Sequence, residues 1–211
     1  MKAVIFDRDG VILDSEYTNI VAGVRAFKEI GIKIKKEEEK WIVGRHPDDY
    51  KTEFLEKYDF SYEEFKKNQR KKYQELLPST PLFEKTISLI KKLHQKKIPL
   101  ALTTSSKIES TMQVLQRAGL ENTFEVIVTY EDYQRRKPDP ESYLLTAKKL
   151  NLQPKDCVVI EDSYVGLCAA KSAGMKCIVI PNKYTKDQDF SKADLIVETA
   201  DKIDIDLLKK M

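Results

Sequence analysis

Histidine is nearly absent from this chain: only His46 and His94 stand among its 211 residues, so a zinc centre built on imidazole is not expected. Cysteine is scarce too. Cys157, Cys168 and Cys177 show no metal-ligand spacing; the first and last fall in buried strand patterns and Cys168 in a helix pattern. An odd count of core-type cysteines points to a reducing, cytoplasmic setting. Long apolar runs are also missing. The longest, such as Val158 to Ile160 and Cys177 to Ile180, are far too short to span a bilayer. The N-terminal MKAVIFDRDG runs straight into a strand and then into acids, so no signal peptide is expected. Nor does one sign of charge dominate. The 37 basic and 34 acidic side chains leave a net charge of +3, and they interleave, as in Lys35-Lys36-Glu37-Glu38-Glu39-Lys40. Without a basic stripe interleaved with aromatics, neither nucleic acid nor membrane is an expected partner. With 41% hydrophobic residues and modest glycine and proline, the chain is a soluble globular one.

The length suits one core, or a core with a small second module. Ala3-Val4-Ile5-Phe6 is a continuous apolar run and predicts a buried strand ending in acidic residues. From about Glu16 to Leu77 the pattern is helical. Val21, Val24, Phe27 and Ile30 recur at helix spacing before the stop at Gly31, and Ser61 with Glu64 predicts a capping box. Beyond Pro78 and Pro81, helices and strands alternate. The predicted strands are Ile98 to Leu102, Val126 to Val128, Cys157 to Ile160, Lys176 to Ile180 and Leu195 to Val197. Repeated strand–helix units require a parallel sheet with helices on both faces. The expected domains are an α/β core of residues 1–15 and 79–211 and a helical insertion of residues 16–78.

In open α/β sheets, ligands sit beyond the carboxyl ends of the strands. The first strand ends in Asp7-Arg8-Asp9-Gly10, the second in Thr103-Thr104-Ser105 and the fourth in Glu161-Asp162. The loop after the third carries Arg136-Lys137-Pro138-Asp139-Pro140. Carboxylates facing one another repel unless a cation or proton is shared. Asp7, Asp9, Glu161 and Asp162 make an acid-rich, all-oxygen site suited to Mg²⁺. Lys137 brings a positive charge for a phosphate and Thr104 a hydroxyl, while Gly10 permits a sharp turn that aims amide N–H groups at the anion.

FDRDGVILDS, ALTTSSK, RRKPDPESY and VVIEDSYVGLCAA together resemble the four ordered motifs of the haloacid dehalogenase superfamily. The likeness spans nearly the whole chain and is strongest to the β-phosphoglucomutase-like phosphatases with a helical cap. It implies a Rossmann-like core, an aspartyl-phosphate intermediate on Asp7, and acid–base work by Asp9. Thr104, Ser105 and Lys137 would hold the phosphoryl group. Mg²⁺ would be bound by Asp7, the Asp9 backbone carbonyl and Asp162, with Glu161 adjacent, directly or through water. Asn19, Arg45 and His46 are the candidate specificity residues of the cap.

Duller readings stand beside these. Asp14 and Ser15 cap the first cap helix or touch substrate; Ser163 caps the helix that follows it; Asp139 serves its turn or braces Lys137. Arg8 replaces the small or apolar residue usual between the motif aspartates, and strand alternation predicts that it points away from the site, toward a surface acid or the cap. Asn19, Pro47 and Ile108 stand where the subgroup's mutases carry histidine, arginine and asparagine, which favours hydrolysis of a small phosphorylated metabolite, such as a sugar phosphate, over a phosphomutase. A catalytically idle binding module is the remaining alternative, and a monomer or weak homo-oligomer is expected.

Overall fold

The computed structural model describes residues 1–39, 42 and 50–211. The chain divides into two compact units, Met1–Leu13 with Leu82–Met211, and Asp14–Pro81. In chain order, β1 (Ala3–Phe6) precedes the helices of the second unit, α1 (Ser15–Glu29), α2 (Lys36–Glu39), α3 (Lys51–Leu55) and α4 (Tyr62–Leu76). The first unit resumes with α5 (Glu84–Gln95), β2 (Leu100–Thr103), α6 (Ile108–Ala118), β3 (Val126–Val128), α7 (Glu141–Lys149), β4 (Cys157–Glu161) and α8 (Tyr164–Ser172). It closes with β5 (Lys176–Val179), β6 (Leu195–Ile196) and α9 (Ile205–Lys210).

The first unit holds a parallel sheet in the order β3-β2-β1-β4-β5-β6. Its middle strand, β1, pairs Ile5 with Ala101 on one side and with Val159 on the other. Alternate side chains serve opposite faces. Ala3, Ile5, Ala101, Val159 and Cys177 share one core with Tyr143 and Ala147 of α7 and Leu167 of α8. Val4, Phe6, Leu102 and Ile160 point the other way and are equally buried. Burial on both faces is why these strands read as unbroken apolar runs. The second strand starts later than Ile98, because Ile98 N–H still closes the end of α5 on the Leu93 carbonyl at 3.2 Å. The direction of the strand order reverses between β1 and β4, which marks the crevice at their carboxyl ends as the ligand side.

The Asp14–Pro81 unit is helical and rests on aromatic packing. Phe27 of α1 stacks on Phe54 at 4.4 Å and on Phe65 of α4 at 4.1 Å between ring centroids. Ser61 caps α4, its hydroxyl accepting from Glu64 N–H at 3.3 Å. Among the described residues, Glu38 is the buried acid of this unit. It accepts from Lys35 N–H at 2.6 Å, from Tyr58 Oη at 2.8 Å and from Lys57 Nζ. Among the described residues, no helix is long and apolar enough to cross a membrane.

Two expected outcomes test this unit. Phe27→Ala removes the ring shared by both stacks and should cost about 3–5 kcal/mol in urea unfolding; a loss below about 1 kcal/mol would show that the aromatic cluster closes over the gap. The bonds from Lys57, Lys35 and Tyr58 outweigh burial and bring the Glu38 carboxyl from 4.5 down to about 2. Its folded-state pKa is depressed, so its contribution is fully present above about 4.5 and is lost as pH falls toward about 2. Thermal melts across that window should therefore fall more steeply for the native chain than for Glu38→Gln, and parallel curves would refute the assignment.

Candidate active site

The carboxyl ends of β1, β2 and β4 and the loop before α7 bring the polar residues of the first unit together. Lys137 is the hub. Its Nζ donates to Asp7 Oδ1 at 2.6 Å, to Glu161 Oε1 at 2.6 Å and to Tyr143 Oη at 3.0 Å, which uses all three ammonium protons. The Lys137, Asp7 and Glu161 side chains are only 7%, 8% and 1% exposed. Burial pulls the ammonium down, but the Asp7 and Glu161 carboxylates outweigh it and hold Lys137 well above its ordinary range. Burial pushes Asp7 up to about 7 against the pull of Lys137, with repulsion from Glu161 and Asp9 added to it. Three buried carboxylates, Asp7, Glu161 and Asp162, place oxygens within 4.8 Å of one another. One lysine cannot neutralise three such groups, so the site is short of positive charge and its donors are the hard oxygens that Mg²⁺ prefers.

The three acids are not equivalent. Glu161 Oε1 also accepts from Tyr143 Oη at 2.7 Å, and Oε2 accepts from Asp162 N–H at 3.1 Å and from Ser163 Oγ at 3.2 Å. Glu161 thus braces Lys137 and the turn after β4. Asp162 lies beside the first loop, where a Cβ on Gly10 would come within 2.0 Å of its Oδ2. Gly10 has a φ of +78°, which disfavours any side chain as well. Its N–H, however, donates to the Leu13 carbonyl at 2.8 Å and is not aimed at an anion. The turn chemistry predicted for Gly10 holds, and its amide has an internal use.

Asp9 faces the β2–α6 loop. Its Oδ2 accepts from Thr104 Oγ1 at 3.2 Å and from Ser106 Oγ at 3.0 Å. Arg8, expected to point away, is instead fully buried and forms an ion pair with Asp9 at 2.8 Å. Strand alternation does not reach it, because β1 ends at Phe6 and Arg8 lies in the turn. Ser105 is exposed, and its hydroxyl accepts from Tyr133 Oη at 3.1 Å. Asp139 Oδ1 accepts from Glu141 N–H at 3.0 Å, so it serves its turn. Ser163 caps α8 on Gly166 N–H at 3.2 Å. Asp14 makes no side-chain cap bond to α1, and buried Ser15 Oγ has no hydrogen-bond partner among the described residues. Asn19 is half-buried on α1 in the other unit, while Arg45, His46 and Pro47 lie outside the described residues.

Among the described residues, sequence reasoning missed Tyr143, Ser106, Asn182 and Gly166 as parts of this arrangement. In the sequence Tyr143 is only one position of the helical pattern that precedes the fourth strand. Asn182 Nδ2 donates to Asp162 Oδ2 at 2.7 Å from just past β5, so extending the strand-end search to the fifth strand would have found it.

This geometry can be set beside known proteins. Residues 4–180 match the family model described as haloacid dehalogenase-like hydrolase. The chain belongs to that family. A phosphatase of phosphorylated carbohydrates from Thermotoga maritima is 37% identical over 84% of each chain. The β-phosphoglucomutase of Bacillus subtilis is 29% identical over 99% of this chain and 94% of its own. The structure of CbbY from Rhodobacter sphaeroides in complex with phosphate superposes with a TM-score of 0.81, at 25% identity over 95% of both chains. Within the haloacid dehalogenase-like hydrolases, this chain stands with the phosphoric monoester hydrolases.

The brace on this hydrolase's lysine is open to test. A Cβ on Gly166 would lie 1.9 Å from Glu161 Oε1. Gly166→Ala should cost about 1–3 kcal/mol in urea unfolding as the carboxylate is displaced. Unchanged stability would mean that Glu161 moves aside freely and does not brace Lys137.

Proposed function

We propose that this enzyme is a Mg²⁺-dependent phosphatase of small phosphorylated metabolites, with phosphorylated carbohydrates as the substrate class. The observation that carries the proposal is Lys137 Nζ, at 2.6 Å from both Asp7 and Glu161, beside Asp162 at the topological switch of the sheet. That combination offers a nucleophile, a buried cation for a phosphoryl group, and oxygen donors for a divalent ion. The Thermotoga maritima phosphatase of phosphorylated carbohydrates supports the substrate class.

In the first half-reaction an Asp7 carboxylate oxygen bonds to phosphorus and the bond to the leaving oxygen breaks, with Asp9 giving that oxygen a proton. In the second, water bonds to phosphorus, Asp9 takes the water's proton, and the acyl–phosphate bond to Asp7 breaks to release phosphate. Lys137 holds Asp7 in line and offsets charge on the transferring group, with the Ser105 hydroxyl, and that of Thr104 once it turns from Asp9 Oδ2, as further phosphate donors. Asp7, Asp162 and the Asp9 backbone carbonyl would hold Mg²⁺, with Glu161 as brace; when bound, the ion neutralises phosphate charge. The Asp14–Pro81 unit is assigned the role of cap, with Asn19, Arg45 and His46 as specificity residues.

A phosphomutase is the second reading, favoured by the Bacillus subtilis relative. Against it, the exposed side chain of Ile108 at the start of α6 has no polar group to offer a second phosphate. The products separate the two: hydrolysis releases inorganic phosphate, whereas a mutase returns an isomeric sugar phosphate. On a panel of phosphorylated metabolites, phosphate release should require Mg²⁺ and should fall at least about a thousandfold in Asp7→Asn. Activity equal to the native chain in that variant would remove Asp7 as nucleophile.

A further inference from the structure

The reaction just described leaves one buried charged group of the site without a task. Arg8 has no solvent exposure. Its Nε donates to Asp9 Oδ2 at 3.0 Å and its Nη2 to Asp9 Oδ1 at 2.8 Å, a side-on fork on one carboxylate. Nη2 also reaches Ser106 Oγ at 2.5 Å, while Nη1 reaches Ser110 Oγ at 3.2 Å and Thr111 Oγ1 at 3.4 Å. The hydroxyls can accept because each donates elsewhere: Ser106 to Asp9 Oδ2 at 3.0 Å, and Ser110 and Thr111 to the Lys107 carbonyl at 3.0 and 2.8 Å.

A guanidinium that meets substrate keeps N–H groups turned toward it. Arg8 is buried and directs its donors at protein acceptors, so its geometry is that of a clamp. It ties the turn after β1 to the first turn of α6, with Asp9 between them.

We propose that Arg8 is the positioning residue for Asp9. It locks the carboxylate against the β2–α6 loop, so that the acid–base group keeps one place relative to Asp7 through both half-reactions. This role rests on the phosphatase reading for its catalytic consequence, though not for the clamp itself. Lysine cannot substitute, because a point charge makes no fork.

The test uses R8K and R8M, each first checked for cooperative melting; R8K retains a buried charge if R8M fails to fold. Each is assayed with Mg²⁺ on p-nitrophenyl phosphate and on the alkyl phosphate that the native enzyme turns over fastest. Departure of p-nitrophenolate needs no proton, whereas an alkoxide needs one, and attack by water needs a base with either substrate. A misplaced Asp9 therefore gives a burst of about one p-nitrophenolate per site, followed by turnover slowed about a hundredfold. The alkyl phosphate should lose at least as much, without a burst, and added guanidinium should partly restore R8M. Slowed turnover of p-nitrophenyl phosphate with no burst, together with no rescue by guanidinium, would overturn the proposal.

A thermal-melting cycle of R8M, D9N and the double variant reads the clamp without turnover. A double variant that melts where the worse single variant melts supports it, and additive losses overturn it. A coupled cycle in a native protein that releases no phosphate would support the clamp while defeating the phosphatase reading.

Discussion

A lysine ammonium held out of water between two carboxylates is the constraint on which this structure turns. Moving Lys137 from water costs several kcal/mol unless its charge and all its protons are matched. Asp7, Glu161 and Tyr143 match them, and each comes from a different element: the end of β1, the end of β4 and the buried face of α7. The ion pair with Asp7 therefore closes a loop of 130 residues and fixes the register of helix against strand at the ligand end of the sheet. Tyr143 shows how tightly packing and chemistry are joined. Its ring belongs to the core shared by β1, β4 and α8, while its hydroxyl donates to Glu161 in the site.

The same constraint leaves the site unbalanced in charge. Lys137 is shared by two acids, Asp162 stands a few ångströms away, and Asp9 is held apart by Arg8. Separating the acids in this way divides their work. Asp7 shares the buried Lys137 with Glu161, Asp9 is tied to hydroxyls and a guanidinium, and Glu161 is saturated with donors. Glycine makes the arrangement possible at two points. Side chains at Gly10 and Gly166 would occupy the space of the Asp162 and Glu161 carboxylates.

Much of this was legible before any coordinates. The apolar runs marked β1 and β4 closely, because strands buried on both faces carry no alternation to misread, and the run Val126–Val128 marked the partly buried edge strand β3. Asp7, Thr104, Glu161 and Asp162 were singled out by asking what each strand ends in, and Lys137 by asking what the loop after the third strand carries. That question works because parallel strands bring their carboxyl ends to one edge. It failed for Arg8, where the rule of alternation was carried past the end of β1 into a turn that does not obey it. It also failed to anticipate that the Gly10 amide would be used internally, since a positive φ says how the chain bends and not which carbonyl it meets.

The sequence by itself determined the order of elements, the parallel sheet and the residue types at its ligand edge. These follow from local periodicity and from spacing along one chain. Only the tertiary structure decided which acid each cation would meet. Lys137 could have been a solvated lysine on a loop, Tyr143 a core residue alone, and Arg8 a surface charge. The Lys137–Asp7 and Tyr143–Glu161 pairs span 130 and 18 residues, and Arg8, though next to Asp9 in the chain, is also held by Ser106, 98 residues away; burial makes every unmatched donor costly. Pairing in a buried site is settled by three-dimensional proximity, and no local pattern encodes it.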